Sequence, residues 1–221
     1  MLFRSYEKKT EPEEWRGPFL SVNPEKILSY AADTGRRPES AEYCCLMEEA
    51  GDYLAEQGRT LFHGAAFICG SGAYVLTAPS GTGKSTQYRN LKLLYGDRVR
   101  IINGDKPILG PGREGEVIVY PSPWNGKEDW GGKDAAPLRG MVLLEQGKEN
   151  VLEDLDPGDA VLPVMQEFMY SARTRKSVST VCRMADTILK TVPLCRFVNR
   201  GDMASSEMLF EWIRKTEGLW Q

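Results

Sequence analysis

The chain has 221 residues, 41% of them apolar and 27% charged, with a formal net charge of −3. That length suits one domain with a substantial core, and the charge gives no general attraction to nucleic acid. No apolar run approaches the ~20 residues of a bilayer span, and residues 1–9 carry no apolar leader segment, so the reading is a cytoplasmic protein with no membrane partner.

In chain order, residues 1–60 are mixed and acidic, with a helix predicted over 41–56 from the spacing of Tyr43, Leu46, Met47, Ala50 and Leu54. Packing on the core is the role expected of this segment. From 61 the texture changes to two strands, 61–69 and 73–77, around a tight Gly70-Ser71-Gly72 hairpin. A helix over 84–94 with Gly96 beyond it comes next, then a short strand 99–103 ending at Gly104-Asp105. A hairpin of 106–109 and 116–120 around Gly110-Pro111-Gly112 follows, and after it a buried strand 138–145. The C-terminal third is predicted helical over 158–171, 178–191 and 204–215, with a strand at 194–198. No repeat or linker divides the chain, so 61–221 reads as one unit. The cysteines Cys44, Cys45, Cys69, Cys182 and Cys195 are odd in number and lack C-x-x-C spacing. They read as reduced structural thiols, forming neither a disulfide framework nor a zinc site.

The richest stretch is Ala78-Pro79-Ser80-Gly81-Thr82-Gly83-Lys84-Ser85-Thr86. It fits the P-loop pattern of Gly or Ala, four free positions, then Gly-Lys-Ser/Thr. Gly81 and Gly83 let successive amides turn toward an anion. Lys84 can reach β- and γ-phosphates, and the Ser85 hydroxyl can ligate Mg²⁺. The strand before and the helix after would set Ser80 to Thr86 around a phosphate at a helix N-terminus.

Two further residues are drawn to this loop. A hairpin closed by three residues places the single histidine, His63, opposite Pro79. Asp105 projects from the end of a buried strand, where a nucleotide enzyme needs a carboxylate to hold Mg²⁺ or to accept a proton from a hydroxyl. A structural strand histidine and a Gly-Asp turn are the plain alternatives.

His63-Gly64-Ala65, residues 78–86 and Ile101-Ile102-Asn103-Gly104-Asp105-Lys106-Pro107 together resemble the nucleotide core of the bacterial HPr serine kinase/phosphorylase family, especially its short kinase-like relatives. The resemblance covers 61–145, with weaker similarity outside. It implies a mixed, strand-rich α/β P-loop core of the HPr kinase and phosphoenolpyruvate carboxykinase-like type, followed by a helical third. It also implies that His63 and Asp105 sit beside the γ-phosphate, with Asp105 as base. Pro123-Trp124-Asn125-Gly126-Lys127 and Leu144-Glu145 are similar to elements of the short relatives, and Lys127 could reach a phosphate or substrate anion. A solvated loop lysine is its alternative. Two departures stand out: Gly104 replaces the first of two consecutive acids, and the regulatory domain and glycine-rich signature of authentic HPr kinases are absent from this sequence.

The expectation is therefore an ATP- and Mg²⁺-dependent kinase, with Ser85 and Asp105 as metal contacts, acting on an unidentified hydroxyl of a peptide, protein or small molecule. HPr is not the expected acceptor, and a homo-oligomer is left open. Arg113 and the cluster Arg173, Arg175, Lys176 and Arg183 are candidates for an acidic acceptor or for solvated surface. The rivals are a nucleotide-binding scaffold with slow turnover and a carboxykinase-like small-molecule enzyme.

Overall fold

The computed structural model describes residues 2–3 and 19–218. Apart from Leu2 and Phe3, the N-terminal stretch read for a leader lies outside the described residues. Strands β1 (Leu2–Phe3) and β2 (Phe19–Leu20) pair in parallel. Helix α1 (Pro24–Thr34) begins on Asn23, whose side chain accepts from the Glu25 amide, and stops at Gly35 with φ 64°. Helix α2 (Pro38–Glu56) buries Ala41, Cys45, Leu46, Ala50 and Leu54 along one stripe.

Among the described residues ten strands form one mixed sheet. They are β3 (Thr60–Phe62), β4 (Ala65–Cys69), β5 (Gly72–Thr77), β6 (Val99–Asn103), β7 (Ile108–Pro111), β8 (Val117–Tyr120), β9 (Ala136–Gln146), β10 (Val151–Asp154), β11 (Phe168–Met169) and β12 (Leu194–Asn199). The long β9 is the axis. One edge runs parallel to β5, which continues antiparallel to β4 and then β6. The other edge is shared: Ala136 and Pro137 meet β8, while Met141 to Gln146 run parallel to β12, whose far side takes β10. From β8 an antiparallel arm extends through β7 and β3 to β11.

Helices cover both faces of the central strands, which is why 65–69 and 73–77 read as unbroken apolar runs. On one face Phe67, Tyr74, Leu76, Val142 and Phe197 pack against α3 (Lys84–Tyr95) and α6 (Met203–Glu217). On the other, Ala66, Val75 and Met141 meet α4 (Pro157–Gln166) and the Val181, Met184, Ala185, Ile188 stripe of α5 (Arg175–Thr191). A buried polar knot fixes α3: Gln87 donates to Asn199 Oδ1 at 3.0 Å and Ser205 Oγ at 2.7 Å, and accepts from Ser206 Oγ at 2.7 Å. Each such group is satisfied, so the knot orients α3 without a desolvation penalty left open.

The structure corrects several expectations. The predicted strand 61–69 is two strands, broken at His63-Gly64, and β3 leaves the hairpin to join β7 and β11. The hairpin loop is Gly70-Ser71, because Cys69 pairs with Gly72. That register moves the projected partner of His63 from Pro79 to Ala78. The arm hairpin turns at 112–116, with the Gly112 amide donating to Glu116 O at 2.7 Å, so Gly110 and Pro111 belong to β7. The helix predicted over 158–171 ends at Gln166. Phe168 and Met169 pair with Phe62 and Leu61 instead, and the Phe62 and Phe168 rings meet edge-on at 5.0 Å. Burying each ring contributes ~1.5–3 kcal/mol, more than local helix propensity over two residues. Helix α1 and strand β10 were not foreseen. Of the five free thiols, Cys182 is exposed rather than structural. Among the described residues no helix is long and apolar enough to cross a membrane.

Candidate functional site

The loop after β5 turns sharply because Gly81 and Gly83 adopt φ of 85° and 106°, conformations open mainly to glycine. Gly83 caps α3 without a side-chain hydrogen bond, so the first amides of that helix face the cleft rather than a capping oxygen. Two contacts brace the loop. Thr82 Oγ1 donates to Pro79 O at 2.8 Å, and Gln146 Nε2, from the end of β9, donates to Gly81 O at 3.0 Å.

Lys84 folds back beneath this loop. Its Nζ donates to Ala78 O at 2.6 Å and Pro79 O at 3.3 Å and lies 3.5 Å from His63 Nε2. Burial lowers its pKa below the ordinary lysine value, although the carboxylates of Glu167 and Asp105 pull upward.

His63 sits in the break between β3 and β4. Its amide donates to Glu167 O at 2.8 Å, and its carbonyl accepts from Thr77 Oγ1 at 2.8 Å, which ties the break to β5. The ring is held between two carboxylates: Nδ1 is 2.7 Å from Glu167 Oε2 and Nε2 is 3.6 Å from Asp105 Oδ1. Placing the Nδ1 proton toward Glu167 leaves Nε2 facing Lys84 and Asp105.

Asp105 sits in the matching break between β6 and β7. The fully buried Asn103 shapes the turn: its Oδ1 accepts from the amides of Asp105 at 3.0 Å and Lys106 at 2.6 Å. Its Nδ2 donates to Ser122 O at 3.0 Å and Asn125 Oδ1 at 3.0 Å, pinning the 121–135 loop over the turn. Trp130 of that loop lies against Tyr88 of α3, ring centroids 5.0 Å apart, which ties the loop to the helix.

Asp105 is ion-paired to Lys106, whose ammonium also lies 5.6 Å above the Tyr43 ring. Burial tends to lower the Lys106 pKa, but hydrogen bonds to Asp105 and Tyr43 raise it overall. Gly104 is glycine for a steric reason. A Cβ there would meet Asn125 O at 2.6 Å and Trp130 Cβ at 3.2 Å, so the loop occupies the space a second acid would need.

These groups surround one cleft of about 790 Å³, within the size of small-molecule sites. The sequence-predicted Ser80, Gly81, Gly83, Lys84, Ser85, Thr86, His63, Asp105 and Lys127 all line it, and Thr82 braces its loop. Arg113, Arg173, Arg175, Lys176 and Arg183 do not; Arg173 instead lies 3.8 Å from Glu48. Glu167, Lys106 and Tyr43 were missed. Glu167 lay inside a predicted helix with no local pattern to mark it, whereas Lys106, adjoining Asp105, was open to notice. Among the described residues no group of three or more His, Cys, Asp or Glu side chains is arranged to hold a metal. No family model and no curated protein matches the chain.

Proposed function

We propose that the chain is an ATP- and Mg²⁺-dependent kinase with a P-loop core like that of the HPr serine kinase/phosphorylase family, transferring the γ-phosphoryl group to a hydroxyl. The observation that carries this reading is the convergence of Lys84, His63 and Asp105, within 3.5–3.6 Å of one another through the His63 ring, beneath a glycine loop at a helix N-terminus.

The donor set suits Mg²⁺ held with nucleotide. That ion keeps several waters and takes one or two protein oxygens beside the phosphates, and Ser85 with Asp105 supply that number from one cleft. When bound, it neutralises charge on the phosphate oxygens. The loop amides and Lys84 hold the β- and γ-phosphates. Asp105, steered by Lys106, takes the proton of the acceptor hydroxyl as its oxygen bonds to phosphorus and the bond to the ADP leaving oxygen breaks. His63, anchored by Glu167, supports Asp105 and the γ-phosphate. Lys127, which also lines the cleft, meets a phosphate or an anionic group of the substrate.

A nucleotide-binding module with slow turnover is the second reading, favoured by the Asp105–Lys106 ion pair and by the absence of room for a second acid at Gly104. Calorimetric titration of wild type and Lys84→Ala with Mg-ATP, followed by transfer of labelled γ-phosphate, tests both. Loss of the lysine is expected to weaken ATP about tenfold or more, since hydrogen bonds to charged groups are worth ~1.5–3 kcal/mol. A wild type that ignores ATP, or a variant that binds it equally, sinks the nucleotide reading. Binding without a phosphorylated product leaves the module.

A further inference from the structure

A second cleft of about 500 Å³ shares His63 and Lys106 with the nucleotide cleft. Helix α2 parts the two: Tyr43 faces the first, and Cys44, Met47 and Glu48 face the second, opposite Phe168, Met169 and Tyr170, with Tyr30 of α1 at the rim. Both openings thus lead to the same histidine, one from the phosphate loop and one from the N-terminal helices. An in-line transfer needs the acceptor to approach the γ-phosphate from the side away from the leaving group, beside the base.

Six of the eleven residues lining the second cleft are apolar or aromatic, and its charges are already matched within the protein. Glu167 is held by His63, Lys106 by Asp105, and Glu48 by Lys26 at 3.5 Å and Arg173 at 3.8 Å. An anionic acceptor would gain no free cation there and would face two carboxylates. Helix α2 packs closely on β11, where a Cβ on Gly51 would be 3.6 Å from Met169 O.

Resting on the kinase reading, we propose that this second cleft is the acceptor site and that it takes an uncharged hydroxyl flanked by an apolar or aromatic group. The hydroxyl enters as a single inserted side chain or as a small alcohol. Residues 24–56 are then a wall of the substrate site as well as packing.

The test uses the full chain with Mg-ATP and two probe sets. One is blocked tripeptides with central Ser flanked by Leu and Phe, by Gly, or by Asp; the other is simple aryl-alkyl alcohols. Phosphorylation of the Leu- and Phe-flanked peptide at least tenfold faster than the Asp-flanked one is expected, and turnover in one probe set but not the other separates a peptide from a small-molecule source. Met47→Trp, which fills the cleft, should raise KM for the favoured probe about tenfold while ATP affinity stays within twofold. Met47→Ala should change KM less and keep the melting temperature. Phosphorylation favouring Asp flanks, no binding of any apolar probe while ATP binds, or a Met47→Trp enzyme with unchanged KM overturns the acceptor assignment and leaves the kinase reading standing. Failure of wild type to bind ATP removes both.

Discussion

The two halves of the sheet are built differently, and the candidate site lies where the chain crosses between them. The central strands β4, β5, β9 and β12 are covered by helices on both faces, β6 and β10 flank them as more exposed edges, and β5 carries the 78–86 glycine loop at its C-terminal end. The arm of β11, β3, β7 and β8 is wholly antiparallel. The chain passes from arm to centre at His63-Gly64 and back at residues 104–107, and the crossings clasp each other: Gly64 N donates to Asp105 O at 2.8 Å and Phe62 N to Pro107 O at 3.0 Å. Regular ladders leave few backbone or side-chain groups free for chemistry; crossings release them in fixed positions. On the proposed kinase reading, the central half would hold the nucleotide and the seam would supply the reacting groups.

The strongest way to break that division is at Asp105. Asp105→Asn keeps size and removes charge, so transfer is expected to fall about 10²- to 10⁴-fold while ATP binding holds. Single-turnover measurements paired with calorimetry check it, and a variant matching wild type in both would reduce Asp105 to a turn residue. If ATP affinity falls instead and excess Mg²⁺ restores it, Asp105 serves the metal more than the proton.

Glu167 tests whether the arm reaches the chemistry through His63. Glu167→Gln retains an acceptor for Nδ1 but not its charge, and transfer is expected to drop about 10- to 100-fold, as when an orienting partner of a functional histidine is lost. The shift should fall on kcat and its pH profile rather than on ATP affinity. An unchanged profile would make the 2.7 Å contact purely structural.

Gly104 sharpens the comparison from the other direction. Restoring the second acid with Gly104→Asp should destabilise the fold by about 1–3 kcal/mol, because the added side chain would overpack the seam against the 121–135 loop. Urea unfolding measures this, and no gain in Mg²⁺-dependent affinity is expected. A variant as stable as wild type would show that the loop yields easily.

The smallest effect concerns Lys84. Its folded pKa lies below the ordinary 10.5, so between the two values the native state binds fewer protons than the unfolded chain. Unfolding free energy then rises with pH across that window and stops rising above 10.5. The stability advantage of Lys84→Met over wild type should therefore shrink from pH 7 toward pH 10, while a constant difference would mean that Lys84 is not desolvated.

Much of the central half was legible from local pattern. The glycine spacing of 78–86, the β-prone run before it and the helical stretch after it are consecutive, so backbone preference and spacing fix that unit whatever the rest of the chain does. The same holds for the strand leading to Asp105 and for α5, whose apolar stripe repeats at helical spacing. His63 was drawn to the loop by a hairpin register one residue out, and its place survives because β5 still pairs beside it. Glu167 lies 104 residues from His63. Its position was decided by the pairing of Phe168 and Met169 with β3, a burial gain between distant segments that overrode helix propensity. Gly104, read in the sequence as a missing carboxylate, is in the folded protein a point of backbone approach. Composition and periodicity encode contacts within a turn or a hairpin; only the tertiary structure decides which distant residues share the interior, and the seam, Glu167 and the second cleft are made of those.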